Sequence, residues 1–288
     1  MGRAGRQQAR AVALGVRRLS AAYGDTVHPF LRVDPPFVMA HRGFSLVGLE
    51  NTLPAFEAAV ALGVTHVETD VHATRDGVLV AFHDAVLDRV TDATGPIAER
   101  SWAEVSRARV VGADGSAAGV PLLADVLGGW PDLRVNVDVK AWAAVQPLVE
   151  LIRRTSALHR VCVASFDDRR TAAVRRALGD GLATSAGRRG VTRWRVGSLL
   201  PGPLGDRTAR LPTGSAVAVQ VPVAAGPLRV VTRRSVEVAH RQGLQVHAWT
   251  VNDADRMREL LDLGVDALIT DRADLALDVV RTACGGTT

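Results

Sequence analysis

Residues 66–83 read His66-Val67-Glu68-Thr69-Asp70-Val71-His72-Ala73-Thr74-Arg75-Asp76-Gly77-Val78-Leu79-Val80-Ala81-Phe82-His83. Over His66 to Val71 the side chains alternate with the period-two pattern of a strand, so Glu68 and Asp70 share a face and His72 is in phase with them. Arg75-Asp76-Gly77 then makes a turn into a second β-rich run, Val78 to His83. Parallel neighbours need a crossover of about a dozen residues, whereas a link this short supports only an antiparallel hairpin. The second run is therefore expected to fold back over the mouth of whatever sheet the first belongs to.

Elsewhere β-rich runs alternate with stretches of helical period. The strand candidates are Val38 to His41, His66 to Val71, Val135 to Val139, Val161 to Ser165, Leu182 to Ser185, Ala216 to Val221, Gln245 to Val251 and Ala267 to Thr270. Helix signals lie between them: Thr52 with Pro54 in the first turn and Gly63 at the end, Pro147 ahead of Leu148, Val149 and Ile152, and Asp253 ahead of Met257, Leu260, Leu261 and Gly264. Eight strands with intervening helices predict an α/β fold, a (β/α)8 TIM barrel with a small insertion at about residues 85–120 after the mouth hairpin. An open doubly wound sheet is the alternative.

Composition agrees with one large core. The 288 residues are 47% hydrophobic and 23% charged, which excludes a disordered chain, and only 4% aromatic, so Ala, Val and Leu must fill the interior. No apolar run is long enough to span a membrane. Cys162 and Cys284 exclude a disulfide framework or a thiolate zinc site, and a soluble, cytoplasmic protein is expected. The formal charge of +5 resides in residues 1–32, where Arg3, Arg6, Arg10, Arg17, Arg18 and Arg32 face only Asp25. Residues 1–34 thus read as a basic arm, 35–282 as the barrel and 283–288 as a tail. With no clustered basic stretch with interleaved aromatics in the barrel, nucleic acid is not an expected partner.

Barrels of this kind carry their chemistry at the C-terminal strand ends. Four candidate ends are polar: His41-Arg42-Gly43, Glu68-Thr69-Asp70, His83-Asp84 and Asp138-Val139-Lys140. Glu68 and Asp70, about 7 Å apart along one strand, repel unless a cation lies between them. With Asp138 they form an oxygen-rich set suited to a hard divalent ion, Mg2+ or Ca2+, rather than to zinc. His41 and His83 border this set and can divide general-base and general-acid duties. Arg42 and Lys140, the only lysine in the chain, add fixed positive charge suited to a phosphate. Gly43 is expected to let the backbone approach an anion.

In this order, and with Glu50-Asn51-Thr52, Thr74-Arg75-Asp76-Gly77, Asn136-Val137-Asp138-Val139-Lys140, Trp249-Thr250-Val251-Asn252, Gly264-Val265-Asp266 and Thr270-Asp271, the motifs resemble the glycerophosphodiester phosphodiesterase family over about residues 38–272. The resemblance implies metal-dependent hydrolysis of glycerophosphodiesters to sn-glycerol 3-phosphate and an alcohol, with Mg2+, Ca2+ or Mn2+ as cofactor. It implies that His41 and His83 are the catalytic pair, that Glu68, Asp70 and Asp138 bind metal, and that Arg42 and Lys140 bind phosphate. Glu50 and Asn51 would stand at the rim near metal and substrate, and Trp249 would wall the glycerol pocket. Two departures stand out: the family usually has Glu at Asp138, whose carboxylate is shorter by about 1.5 Å, and Pro at Leu49.

His72 and His247 are expected to be structural or pocket-lining. Ser165 and Gln220 could equally bind substrate or satisfy the backbone. Two alternatives accompany the reading. One is a phospholipase D-like or phosphoinositide-cleaving enzyme on the same fold, against which counts the lack of an aromatic-rich rim, although Phe44, Leu46, Val47 and Leu49 make a mildly hydrophobic loop. The other is a catalytically impaired, phosphodiester-binding barrel, a reading that Asp138 favours.

Overall fold

The computed structural model describes residues 28–212 and 216–285. Its strands are β1 (Phe37–His41), β2 (His66–Ala73), β3 (Leu79–Ala81), β4 (Arg109–Val111), β5 (Ala117–Gly119), β6 (Arg134–Val139), β7 (Val161–Ala164), β8 (Ala183–Thr184), β9 (Ala218–Pro222), β10 (Ala224–Ala225), β11 (Leu228–Arg229), β12 (Gln245–Trp249) and β13 (Ala267–Thr270). Eight of them pair in parallel in the order β8-β7-β6-β2-β1-β13-β12-β9. The ring closes between its two ends through a parallel bridge, Ser185 to Ala218, with Val217 N donating to Thr184 O (2.8 Å) and Ala186 N to Ala218 O (2.9 Å). The expected (β/α)8 barrel is the observed fold.

Helices return the chain between strands and bury one face each. Helix Leu53–Ala61 starts at Thr52, whose hydroxyl accepts from Ala55 N, and buries Ala55, Phe56 and Ala59. Helix Ala254–Asp262 is capped by Asp253 and buries Met257 and Leu260. The core between strands and helices is built largely of Val, Ala and Leu, as the shortage of aromatics requires.

The hairpin after β2 forms as expected: β3 is antiparallel to β2, with Val71 opposite Ala81 and Ala73 opposite Leu79. The segment that follows has a small core of its own, including Phe82, Leu87, Ile97, Val105 and Val110, and an antiparallel ladder between β4 and β5.

One boundary differs from the sequence reading. Residues 28–34 were grouped with the basic arm, but Phe30 and Leu31 are buried and pack with Phe37, Met39 and Ile269 inside the barrel. His28 contacts Gly181 O through Nε2 (2.8 Å), and Arg134 Nε donates to Pro29 O (3.3 Å). The apolar pair Phe30-Leu31 extends a cluster with Phe37, Met39, Cys162, Ala183, Ala267 and Ile269, and the Phe30 ring meets His66 edge to face at 5.1 Å. The arm that lies before residue 28 is outside the described residues.

Two histidines in the barrel interior are held neutral. His66 Nε2 donates to Phe30 O (2.9 Å), its ring packs on Phe37 at 4.4 Å, and burial drives its pKa down to about 4. His247 lies between Gln245 Oε1 (3.0 Å) and Gln220 Nε2 (3.3 Å), and burial lowers it to about 3. Between pH 6.5 and these values the unfolded chain binds protons at these two sites that the folded chain refuses, so their contribution to stability is fully present above pH 6.5 and is lost on acidification. His66 alone should cost about 2 kcal/mol between pH 7 and pH 5. In urea unfolding, His66→Gln should therefore lose about 2 kcal/mol less than wild type between pH 7 and pH 5, and a pH dependence identical to wild type would contradict the assignment.

Candidate active site

The C-terminal strand ends bring the polar motifs to one cleft. After His41 the backbone turns left-handed, with φ of 59° at Arg42 and 84° at Gly43. A Cβ on Gly43 would lie 2.7 Å from the backbone carbon of Ala55. The glycine thus serves close packing of this turn on helix Leu53–Ala61.

Asp70 and Asp138 are register partners on the neighbouring strands β2 and β6. The ammonium of Lys140 lies between them, 2.8 Å from Asp70 Oδ1 and 2.7 Å from Asp138 Oδ2, and Arg42 Nε is 3.1 Å from Asp70 Oδ2. These cations outweigh burial and hold the Asp70 carboxyl below its usual range. Among the described residues no three His, Cys, Asp or Glu side chains converge as a ready-made metal cage; Lys140 neutralises two of the candidate carboxylates.

Glu68 is in a different position. Burial and the charges of Asp70 and Asp138 outweigh His41 and Lys140, pushing its pKa up to about 8. Its Oε2 and Asp138 Oδ1 are buried oxygens with no hydrogen-bond partner. Unpaired buried acceptors beside a second carboxylate are costly unless a cation takes up their lone pairs. Two buried free oxygens and an excess of carboxylate fit a hard divalent ion at this point.

The two imidazoles are oriented alike. His41 Nδ1 is 2.6 Å from Asp271 Oδ1, and His83 Nδ1 is 2.6 Å from Asp84 Oδ1. A carboxylate at Nδ1 fixes the tautomer and leaves Nε2 for proton transfer. His41 Nε2 points toward Glu68, 3.8 Å from Oε2. Burial lowers the pKa of His41, but the Asp271 hydrogen bond and the Glu68 charge together raise it above the usual imidazole value. Asp271 is in turn held by Asn252 Nδ2 (2.8 Å).

The orienting group for His83 is itself part of a chain of charges. Arg89 Nε donates to Asp84 Oδ2, Arg89 Nη2 to Glu50 Oε1 (2.7 Å), and Arg42 Nη1 to the same Glu50 oxygen (2.8 Å). Glu50, partly exposed, thus links two arginines. Asn51 is not at the rim: it is buried, donating to Asp70 Oδ2 (3.1 Å) and accepting from Thr69 Oγ1 (2.7 Å). Its small amide fits beneath Asp70, where it holds the carboxylate in place.

Trp249 ends β12 and meets Phe166 edge to face, with ring centroids 6.1 Å apart. Both line the cleft of about 310 Å³ that also contains His41, His83, Asp138 and Lys140, a volume within the range of small-molecule sites. Beneath it Asn136 and Gln220 form an amide pair, Gln220 Nε2 donating to Asn136 Oδ1 at 2.9 Å. Ser165 instead donates to Val139 O (2.9 Å), and His72 contacts His83 O through Nε2 (3.1 Å). Sequence reasoning assigned no role to Arg89 or to the carboxylates of Asp84 and Asp271. The two acids stood in quoted motifs at strand ends, whereas nothing marked Arg89, which comes from the insertion.

The glycerophosphoryl diester phosphodiesterase family model matches residues 41–275. Over 253 residues the chain is 41% identical to a probable glycerophosphodiester phosphodiesterase 2 of Mycobacterium tuberculosis, covering 87% of this chain and 93% of the relative. A putative glycerophosphoryl diester phosphodiesterase from Silicibacter pomeroyi superimposes with TM-score 0.71 at 24% identity, covering 88% of this chain and 95% of that one. An Oleispira antarctica phosphodiesterase solved with the product sn-glycerol-3-phosphate gives 0.67 at 22% identity, covering 85% and 97%. These two structures share the barrel; the family match and the 41% relative decide membership. The chain belongs to the glycerophosphoryl diester phosphodiesterase family, a family of phosphoric diester hydrolases.

Proposed function

We propose that this protein hydrolyses glycerophosphodiesters to sn-glycerol 3-phosphate and an alcohol with the help of a divalent cation. The observation that carries the reading is the pair of imidazoles, each held at Nδ1 by a carboxylate and both lining a cleft with three acidic side chains. Arg42 and Lys140 hold the phosphate. One Nε2 accepts a proton from the oxygen that attacks phosphorus, and the other donates a proton to the alcohol oxygen as its P–O bond breaks. Water supplies the oxygen the product phosphate gains, either directly or by opening a cyclic phosphate first formed by the substrate's own hydroxyl. Over the full cycle both imidazoles return to their starting protonation states. Asp271 and Asp84 stabilise each imidazolium as it forms. Glu68, Asp70 and Asp138 would hold the cation, Mg2+, Ca2+ or Mn2+, which when bound supplies Lewis-acid polarisation of the phosphate. A cytoplasmic site of action suits two cysteines that are both free thiols.

Incubation with glycerophosphocholine tests this reading. It should yield sn-glycerol 3-phosphate and choline. Phosphocholine and glycerol would mean cleavage of the other ester bond, and absence of turnover would favour the phosphodiester-binding barrel.

A second reading, action on intact lysophospholipids, gains support from the mouth. Leu46, Trp142 and Phe166, in segments following β1, β6 and β7, are 67%, 48% and 57% exposed, a more aromatic rim than the sequence reading expected. Among the described residues no helix is long and apolar enough to cross a membrane, so such action would be interfacial. Faster turnover of a lysophospholipid than of its deacylated counterpart would favour it.

A further inference from the structure

The uncharged glycerol moiety and the bridging phosphate do not account for all the positive charge in the cleft. Beyond Phe166 the wall is formed by segments following β7 and β8, and its charged member is Arg188. Arg188 and Phe166 also line an adjoining groove that contains Asp167, Asp168, Arg169, Arg170 and Arg189. Most of that charge is spent locally. Asp167 pairs with Arg169 (2.9 Å). Asp168 Oδ2 accepts from Arg189 N (3.0 Å), its carboxyl packed where a Cβ on Gly187 would meet it at 2.6 Å. Arg170 donates to the carbonyls of Val139 (3.0 Å) and Lys140 (2.6 Å). The exposed guanidinium groups of Arg188 and Arg189 are left with no carboxylate partner among the described residues.

We propose that this wall is the subsite for the leaving alcohol, and that Arg188 selects an alcohol carrying a second phosphate group. The inference rests on the glycerophosphodiesterase reading above. Arg42 and Lys140 neutralise the scissile phosphate and glycerol has no charge to offer, so the partner of Arg188 must lie on the departing side. Guanidinium is suited to it, since its fork of donors matches two phosphate oxygens.

The test compares 1,3-bis(glycerophospho)glycerol with glycerophosphoglycerol, which has the same leaving glycerol without the second phosphate. The wild-type protein should favour the former about tenfold in kcat/KM, the scale of one exposed charge-assisted hydrogen bond. The preference should fade as salt is raised. Arg188→Gln should bring the two substrates to within about twofold through KM of the anionic one, and as an exposed residue its replacement should leave the fold intact. Absence of a wild-type preference, or a ratio unchanged in Arg188→Gln, overturns the subsite. Glycerophosphocholine is the control: failure to hydrolyse all three substrates overturns the glycerophosphodiesterase reading and this inference with it, whereas hydrolysis of glycerophosphocholine alone overturns only the subsite.

Discussion

His41→Ala and His83→Ala should each lower kcat on glycerophosphocholine by at least about 10²-fold, the usual worth of a positioned acid or base. The thermal unfolding midpoint should move little. Neither imidazole is part of the barrel core: their side-chain hydrogen bonds are to Asp271 and Asp84, both also held by other donors, Asn252 and Arg89. Combining the two substitutions should cost little more than either alone, because both protons move in one reaction cycle. Near wild-type turnover in either single variant would remove that histidine from the mechanism. Asp271→Asn should show a smaller loss, because it weakens the orientation of His41 and leaves its Nε2 in place.

Lys140→Met should have the largest effect on stability. The ammonium is the nearest cation to both Asp70 and Asp138, and removing it leaves two buried carboxylates facing each other beside Glu68. Deleting one partner of a buried pair typically costs about 3–5 kcal/mol. Denaturant unfolding of the metal-free variant should show a loss of that order. Millimolar Mg2+ or Mn2+ should recover much of it, since the cation binds the folded carboxylates and not the unfolded chain. A loss that no divalent ion relieves would mean that these carboxylates do not form a metal site. Turnover should fall as well, Lys140 being a phosphate ligand in this account.

The fold was legible because strand ends and turn lengths obey strong local rules. An Asp-Gly turn between Thr74 and Val78 leaves no room for a crossover; Thr52 and Asp253 announce helix starts through side chains that accept from first-turn N–H groups, and Pro54 through a missing N–H that the first turn tolerates. The site was legible for a related reason: a strand that ends in Glu-x-Asp or Asp-x-Lys places both groups on one face. What escaped was tertiary. Arg89 looks like any surface arginine until the insertion brings it onto Asp84 and Glu50. Asn51 reads as a rim residue because it precedes a helix, yet its φ of 54° turns the chain so that the amide lies under Asp70. Phe30-Leu31 was hidden in a basic stretch, and its burial depends on a tertiary cluster with Phe37 and Met39 of β1 and Ile269 of β13. Lys140 was noticed for being the only lysine. That it would stand between two acids depends on the register of β2 against β6, which no local pattern encodes.

The chain's membership of its family rests on sequence, whereas the proposed metal dependence rests on the carboxylates of Glu68, Asp70 and Asp138 and on two buried oxygens without partners. The most direct test measures glycerophosphocholine turnover after exhaustive chelation and again after adding Mg2+, Ca2+ or Mn2+ singly. The account predicts that chelation abolishes turnover and that at least one of these ions restores it. Full activity in the chelated protein would contradict the three-carboxylate site and the mechanism built on it.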